Sequence, residues 1–446
     1  MRFLTAGLVW ILIIQMVVPP DLNYGHLDVA SMMTGGSLTG PLIMVGALGA
    51  GAIICLSRLS LAKALILKVN PFFTAFLLLA TISILWSADS ETTMRRLFRL
   101  YAMVSVSLGL MLAGWHPSRF QSVLRSVLTW LLAGSILFGL VYPDLAIEQG
   151  AFEGVTQTEL VGAWRGLTVQ KNTLGAIAAT GTIFWLHALL SRQSGVLRAV
   201  AGIGVSATCL ILSRSSTALL ATMFVVLFMI LVLKPPTPAF RRYMPYAIGL
   251  FTALILVYSL AVLEIVPGLS VLLEPIAAIT GKDMSFSGRT DIWAIVKEEI
   301  ARHPLLGIGY GAYWVGPIPG SPSYQFMSRL YFYPTEAHNG YLDVINDLGF
   351  VGGVCLIAYL VAYLRQSLRL MKVDRFQGGL FLSLLFQEFI GNLSEAHWLS
   401  VNSVHFFILT LATVALARAL VQADREVARQ TAQSRQAVPA GRIVRR

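Results

Sequence analysis

Charge is what this chain has least of. Of its 446 residues only 12% are Asp, Glu, Lys or Arg, where a soluble domain carries about 25%. That scarcity excludes an ordinary soluble enzyme, because 56% of the chain is hydrophobic and the mean hydropathy is +0.72. Cysteine is nearly absent. Cys55, Cys209 and Cys355 all lie in apolar runs, which excludes a disulfide framework. There is no Walker-type phosphate loop, no internal repeat and no separate soluble domain. Residues 1–20 lack a small-residue cleavage site and read as a retained membrane span ending at Pro19-Pro20-Asp21.

What is present is apolar sequence in runs of about 20 residues, the mark of a helical membrane protein. Barrel strands would be shorter and would alternate. The runs predict about twelve spans, over 3–19, 37–57, 72–87, 97–114, 120–141, 172–190, 196–212, 215–233, 244–265, 348–366, 377–393 and 400–420. The fold class is therefore an all-α integral membrane protein. The net charge is +11. In a membrane chain this reads as Lys and Arg on cytoplasmic loops rather than as a nucleic-acid surface, so no nucleic-acid partner is expected. Arg58, Lys63, Arg119, Arg192, Arg241, Arg369 and the basic tail then place both termini in the cytoplasm. Arg95, Arg96 and Arg99 fall on the outer side, against that rule.

The chain divides into helices over 1–265, a long outer loop over 266–347, further helices over 348–420 and a basic tail over 421–446. Loops that long in a compact protein are functional or disordered. This one has aromatics, prolines and a clear amphipathic pattern in "SGRTDIWAIVKEEIARHP". Ser287 or Thr290 can cap a helix there. Ile292, Trp293, Val296 and Ile300 share one face, opposite Lys297, Glu298, Glu299 and Arg302. Such a helix is expected to lie at the membrane interface. Arg289 stands at its N-terminus, the wrong end for a cation, so it must meet an anion. A local carboxylate and a bound phosphate are both open, and Arg suits phosphate through its two-pronged geometry. Gly307, Gly309 and Gly311 follow in "LLGIGYGAYW", either as a flexible, hinge-like return toward the membrane or as a close backbone approach to a ligand.

"EAHNGYLDVINDLGFVGG" then brings His338, Asn339 and Asp343 to the membrane boundary. Histidine titrates near neutrality and is the usual general base; a hydrogen bond to loop backbone is the alternative. Arg165 in "GAWRGLTVQKNTLG" and Arg214 in "ILSRSSTALL" also face outward in this topology, with Lys171 and Asn172 as weaker candidates. A charge in the nearly loopless turn at Arg214 is costly and often functional, although it could also snorkel to headgroups. Glu388 in "LFQEFIGN" sits inside a span and needs a partner, for which an arginine is the natural choice. No metal is expected, because His303, His338 and His397 have no i, i+4 pairing and no cysteine support.

Three outer arginines and one histidine suit a polyanionic ligand and a single proton transfer. A lipid diphosphate sugar fits, with its tail in the bilayer and its diphosphate at the surface. Diphosphate leaves readily when arginines neutralise it, so the missing element is a base for the acceptor hydroxyl.

The motifs "SGRTDIW", "HPLLGIGYGAYW" and "EAHNGYLDVINDLGFVGG", with "VQKNTLG" and "SRSSTALLA" upstream, resemble the O-antigen ligase and Wzy-type polysaccharide polymerase superfamily over roughly 160–365. The resemblance implies a GT-C-like fold in a bacterial inner membrane, with the long loop periplasmic. It implies inverting transfer of glycan from an undecaprenyl-diphosphate-linked oligosaccharide donor, with no cofactor. It assigns His338 as base and Arg289 and Arg214 as diphosphate-binding, with Arg165 a looser match. Asn339, Asp343, Glu388 and Lys171 stand as supporting candidates, and Arg329 is open. The phrase "GRTDIW" with "PLLGIGYGAYW" is closer to exopolysaccharide polymerases than to lipopolysaccharide ligases, which use a lipid A–core acceptor. A chain-length regulator is a candidate partner of a polymerase. The rival class is a lipid-linked sugar transporter, which would carry its charges or broken helices at the membrane midplane.

Overall fold

The computed structural model describes residues 1–19, 39–114, 116–149, 151–152, 155–156, 161–234, 237–262, 289–330 and 332–436. Ser287, Gly288 and much of the first outer loop, of the long loop and of the basic tail lie outside them. The architecture is helical throughout: α1 (Arg2–Val17), α2 (Thr39–Ser57), α3 (Leu59–Ile66), α4 (Pro71–Ile82), α5 (Ser90–Leu112), α6 (Pro117–Val141), α7 (Lys171–Leu190), α8 (Val196–Leu212), α9 (Ser216–Leu233), α10 (Pro238–Val262), α11 (Arg289–Arg302), α12 (Gln325–Leu330), α13 (Gly340–Val373), α14 (Arg375–Gly391) and α15 (Val404–Gln436). The described strands are a two-residue antiparallel pair in which Ala151 faces Thr156 and Phe152 faces Val155.

Each span read from the apolar runs coincides with one of these helices. Six described helices are long and apolar enough to cross a membrane, and a seventh span results if α3 and the segment Pro71–Leu85, bent by 97°, count as one. The chain is a multi-pass membrane protein. Burial orders the helices: α15 is at the centre, with 94% of its apolar window buried, whereas α2, at 22%, is peripheral. Outward-facing Leu67, Leu197 and Ile53 are strongly exposed and suit lipid contact. Helices meet over small residues, as membrane helices do. A side chain at Gly202 would collide with Trp185, one at Gly51 with Ser105, and one at Gly175 with Ser213 and Ser215.

The long loop has a core of its own. Ile292, Trp293, Ile295 and Val296 of α11 pack with Ile308, Tyr313, Trp314, Phe326, Tyr333 and Leu342. The apolar face of α11 is therefore buried in protein, and Glu299, placed by the spacing on the polar side, is buried as well, beside Arg302 at 2.8 Å and His303 at 3.5 Å. The helix starts at Arg289, which puts Thr290 inside its first turn rather than at its cap.

The glycine-rich turn packs closely against other parts of the chain. Gly307, Gly309 and Gly311 have φ of 67°, 106° and 68°, a region open to glycine. Added side chains would strike the backbone of Asp347, the backbone of Ser87 and the side chain of Arg96. Ile308 N and Gly309 N donate to Asn346 O and Asp347 O, and Tyr310 N donates to Ser83 Oγ. The turn is wedged between the start of α5 and the start of α13. There α13 breaks at Gly349 (φ 64°, ψ −169°), and Phe350 N and Val351 N turn to Pro304 O and Leu305 O. This arrangement gives Arg95, Arg96 and Arg99 partners within the protein. Arg96 donates to Trp314 O at 2.9 Å, Arg99 to Asn402 Oδ1 at 3.0 Å, and Arg95 pairs with Glu91.

Candidate active site

The chain around His338 is held from several sides. Ala337 O accepts from Trp293 Nε1 at 2.9 Å, and Ala337 N donates to Asp343 Oδ1 at 3.3 Å. Asn339 caps α13, accepting from Tyr341 N and Leu342 N at 3.1 and 3.2 Å. Gly340 N donates to Asn392 O and Glu395 O. Between these anchors His338 has φ 50°, in a region that non-glycine residues rarely occupy and that costs roughly 1–3 kcal/mol. Asn339 and Asp343 thus support the loop, with Asp343 also accepting from Trp314 Nε1 at 3.0 Å.

A turn between α14 and α15, in "GNLSEAHW", supplies the residues opposite. Asn392 is fully buried; its Oδ1 accepts from His397 N and Trp398 N, both at 2.9 Å, and its amide donates to Glu388 O. The turn presents Glu395. One carboxylate oxygen of Glu395 lies 3.4 Å from Arg289 Nη2 and 2.7 Å from Asn172 Nδ2. The other lies 3.5 Å from His338 Nδ1, which is also 3.0 Å from Glu336 Oε1. Arg289 and His338 are therefore gathered at one carboxylate.

Burial works against a charged His338, but Glu336 and Glu395 outweigh it and raise its pKa to about 10. Burial likewise opposes the charge on Glu395, and His338 and Arg289 reverse this, holding the carboxyl well below its usual range.

Arg214 and Arg165 form a neighbouring group. Arg214, also at φ 50°, donates to Val161 O at 2.9 Å, and Trp164 N donates to Leu212 O. Arg165 donates to Leu145 O at 2.8 Å and lies 3.9 Å from Glu148. Burial raises the Glu148 pKa, and the charges of Arg165 and Lys171 act in the opposite sense. A cavity lined by Asn172, Ser215, Thr217, Glu388, Glu395 and His397 runs between the residue following Arg214 and the carboxylate that holds Arg289. Arg329 instead pairs with Glu298 at 2.7 Å across the loop surface.

Glu388 differs from expectation. Its partners are two histidines, His397 and His405, each with Nδ1 3.3 Å from one of its oxygens, their rings stacked at 4.5 Å. The residues missed in the sequence are mainly Glu395, His397 in this role, and His405. The signal that could have found them is the polar density of "GNLSEAHW" between two apolar runs. Two groups, Glu388–His397–His405 and Glu336–His338–Glu395, also bring three metal-type donor atoms within 4.8 Å of one another. Spacing along the chain did not reveal them, since each joins residues from separate segments.

The geometry is that of a multi-pass membrane protein whose folded loop brings a histidine and an arginine to one partly buried carboxylate. Residues 201–357 match the family model described as Wzy_C, O-antigen ligase. The "Exopolysaccharide production protein ExoQ" of Rhizobium meliloti (strain 1021) is 27% identical over 318 residues, which cover 68% of this chain and 66% of that protein. The matched stretch contains Arg214, Arg289 and His338; Arg165, Glu388 and Glu395 lie outside it.

Proposed function

We propose that the protein is an inner-membrane glycosyltransferase of the polymerase type, which joins undecaprenyl-diphosphate-linked oligosaccharides on the periplasmic side. The observation that carries this reading is the convergence of Arg289 and His338, both within the stretch that matches the O-antigen ligase family model, on Glu395. The name of the exopolysaccharide relative favours a lipid-linked glycan acceptor over lipid A–core. In this reading all twelve helices that coincide with apolar runs cross the membrane in a GT-C-like arrangement, and both termini are cytoplasmic.

The donor diphosphate meets Arg289, and Arg214 and Arg165 add positive charge from the neighbouring group. The acceptor hydroxyl gives its proton to Nε2 of the neutral form of His338, while Nδ1–H stays on the carboxylate side. The acceptor oxygen bonds to the anomeric carbon. The bond from that carbon to the diphosphate oxygen breaks, and its electron pair leaves on the diphosphate, whose charge the arginines neutralise. Attack from the face opposite the leaving group inverts the anomeric centre.

Purified protein in vesicles, supplied with labelled donor, tests this. Release of undecaprenyl diphosphate with growth of the glycan is expected. Movement of intact donor without release would make the protein a transporter. Accumulation of uncapped lipid A–core in a deletion strain, rather than of single lipid-linked repeats, would make it a ligase.

A further inference from the structure

Glu395 stands where the proposed mechanism needs an anion and already has one. Its side chain is 12% exposed, and its two oxygens are divided between tasks. Oε1 faces Arg289 and Asn172, and Oε2 faces His338. Its backbone is tied into the same turn, with Glu395 N donating to Gly391 O and Glu395 O accepting from Gly340 N, two residues past His338. A phosphate uses the same guanidinium edge as a carboxylate and carries more charge. A diphosphate arriving at Arg289 and the Glu395 carboxylate therefore compete for one cation.

We propose that Glu395 is a positioning residue that Arg289 exchanges for the donor diphosphate, while its other oxygen keeps the His338 ring aimed with Nδ1 inward. This rests on the glycosyltransferase reading above. Glu395 holds the place of the diphosphate before the donor binds, so that the positive charge of Arg289 faces an anion in both states. Once Arg289 turns to the diphosphate, the negative charge of Glu395 serves His338 alone. It fixes the tautomer that offers Nε2 to the acceptor and stabilises the imidazolium formed when the proton arrives. Asn172 keeps its hydrogen bond to Oε1 and holds the carboxylate in register throughout. The charged groups around His338 are Glu336 on its own loop, Glu395 and His397 on the turn before α15, Arg289 on α11 and Asp343 on α13. Of these, Glu395 is the carboxylate that also touches the proposed donor-binding arginine.

Glu395→Gln keeps the shape and the acceptor for Asn172 and removes the charge. Two readouts follow, one of them independent of catalysis. With undecaprenyl diphosphate alone as probe, the variant should bind about tenfold more tightly than the native protein, one decade for the lost competitor. The gain should vanish when Arg289→Ala is added, a coupling that a double-mutant cycle reads directly. In the transfer assay the acid limb of the pH–rate profile should move down by about one pH unit or more, because His338 loses one of its two carboxylates. Unchanged affinity together with an unmoved limb would reduce Glu395 to a structural residue and overturn the proposal. Weaker binding of the probe by E395Q would overturn it as well. Failure of the native protein to release undecaprenyl diphosphate from donor would sink the glycosyltransferase reading instead, and the binding arm would still report whether Glu395 and a diphosphate compete for Arg289.

Discussion

Arg289 opens a helix at the end where the helix dipole repels a cation, and Glu395 is the anion that meets it. The sequence left a carboxylate and a phosphate as alternatives. Under the proposed mechanism they are successive partners. His338→Ala and Arg289→Ala are each expected to abolish polymer, with a drop of at least about 100-fold in transfer for the lost base, while the protein still accumulates at its normal level. Near-normal polymer from either variant counts against the site. The pH dependence has a definite sign. His338 is raised from 6.5 to about 10 in the folded protein, so its ion pairs stabilise fully below about 6.5 and that contribution is lost as pH rises through about 10. Thermal unfolding of the native protein should therefore fall across this window more steeply than that of His338→Ala. Transfer should rise across the same window, because only the neutral ring can accept the proton.

At the scale of elements, the loop is a folded unit wedged into the membrane body by glycines. Gly349 breaks α13 where the backbone of Leu305 crosses it, and a β-carbon there would overlap the Leu305 carbonyl. Gly349→Ala combines that clash with a left-handed backbone and should destabilise by about 1–3 kcal/mol or more, read as a lower unfolding temperature in detergent with loss of loop protection in hydrogen exchange. An unchanged melting temperature would mean that the wedge does not hold the loop. Trp293 offers a second test. It is buried in the core of the loop and donates to Ala337 O, next to His338. Trp293→Phe keeps most of the apolar volume and removes the donor. The expected result is a modest loss of stability of about 1–3 kcal/mol and a larger loss of transfer, because the anchor that positions His338 is gone.

At the scale of the molecule, the proposed orientation puts the ion pair Arg329–Glu298 outside the cell membrane and Arg369–Asp424 inside. Single cysteines at Glu298 and Asp424, in a background lacking Cys55, Cys209 and Cys355, can be labelled with an impermeant maleimide in intact cells. Labelling at 298 and protection at 424 are expected, and the reverse pattern would invert the topology and move the site to the cytoplasm. Most of the architecture at this scale was legible along the chain. Apolar runs mark helices directly, since a buried or lipid-facing backbone has to satisfy its own hydrogen bonds. Arg289 and His338 stood out as candidates because a charge on an otherwise apolar chain is costly, and the structure places both beside Glu395. Glu388 was legible as a residue in need of a partner, but the partner was not, because His397 and His405 reach it only through the turn that Asn392 folds.

The sequence by itself determined that this is a helical membrane protein, where its helices lie, and that one loop is folded and charged. Those are local properties, set by hydropathy and helical spacing within a few turns of chain. Only the tertiary structure decided that the glycines pack against distant backbone, that α11 buries its apolar face in protein, and that Glu395 stands between Arg289 and His338. Each of these is a contact between segments far apart in the chain. Nothing in local composition specifies which distant carboxylate a buried cation will find, since that pairing depends on how the whole bundle closes around it.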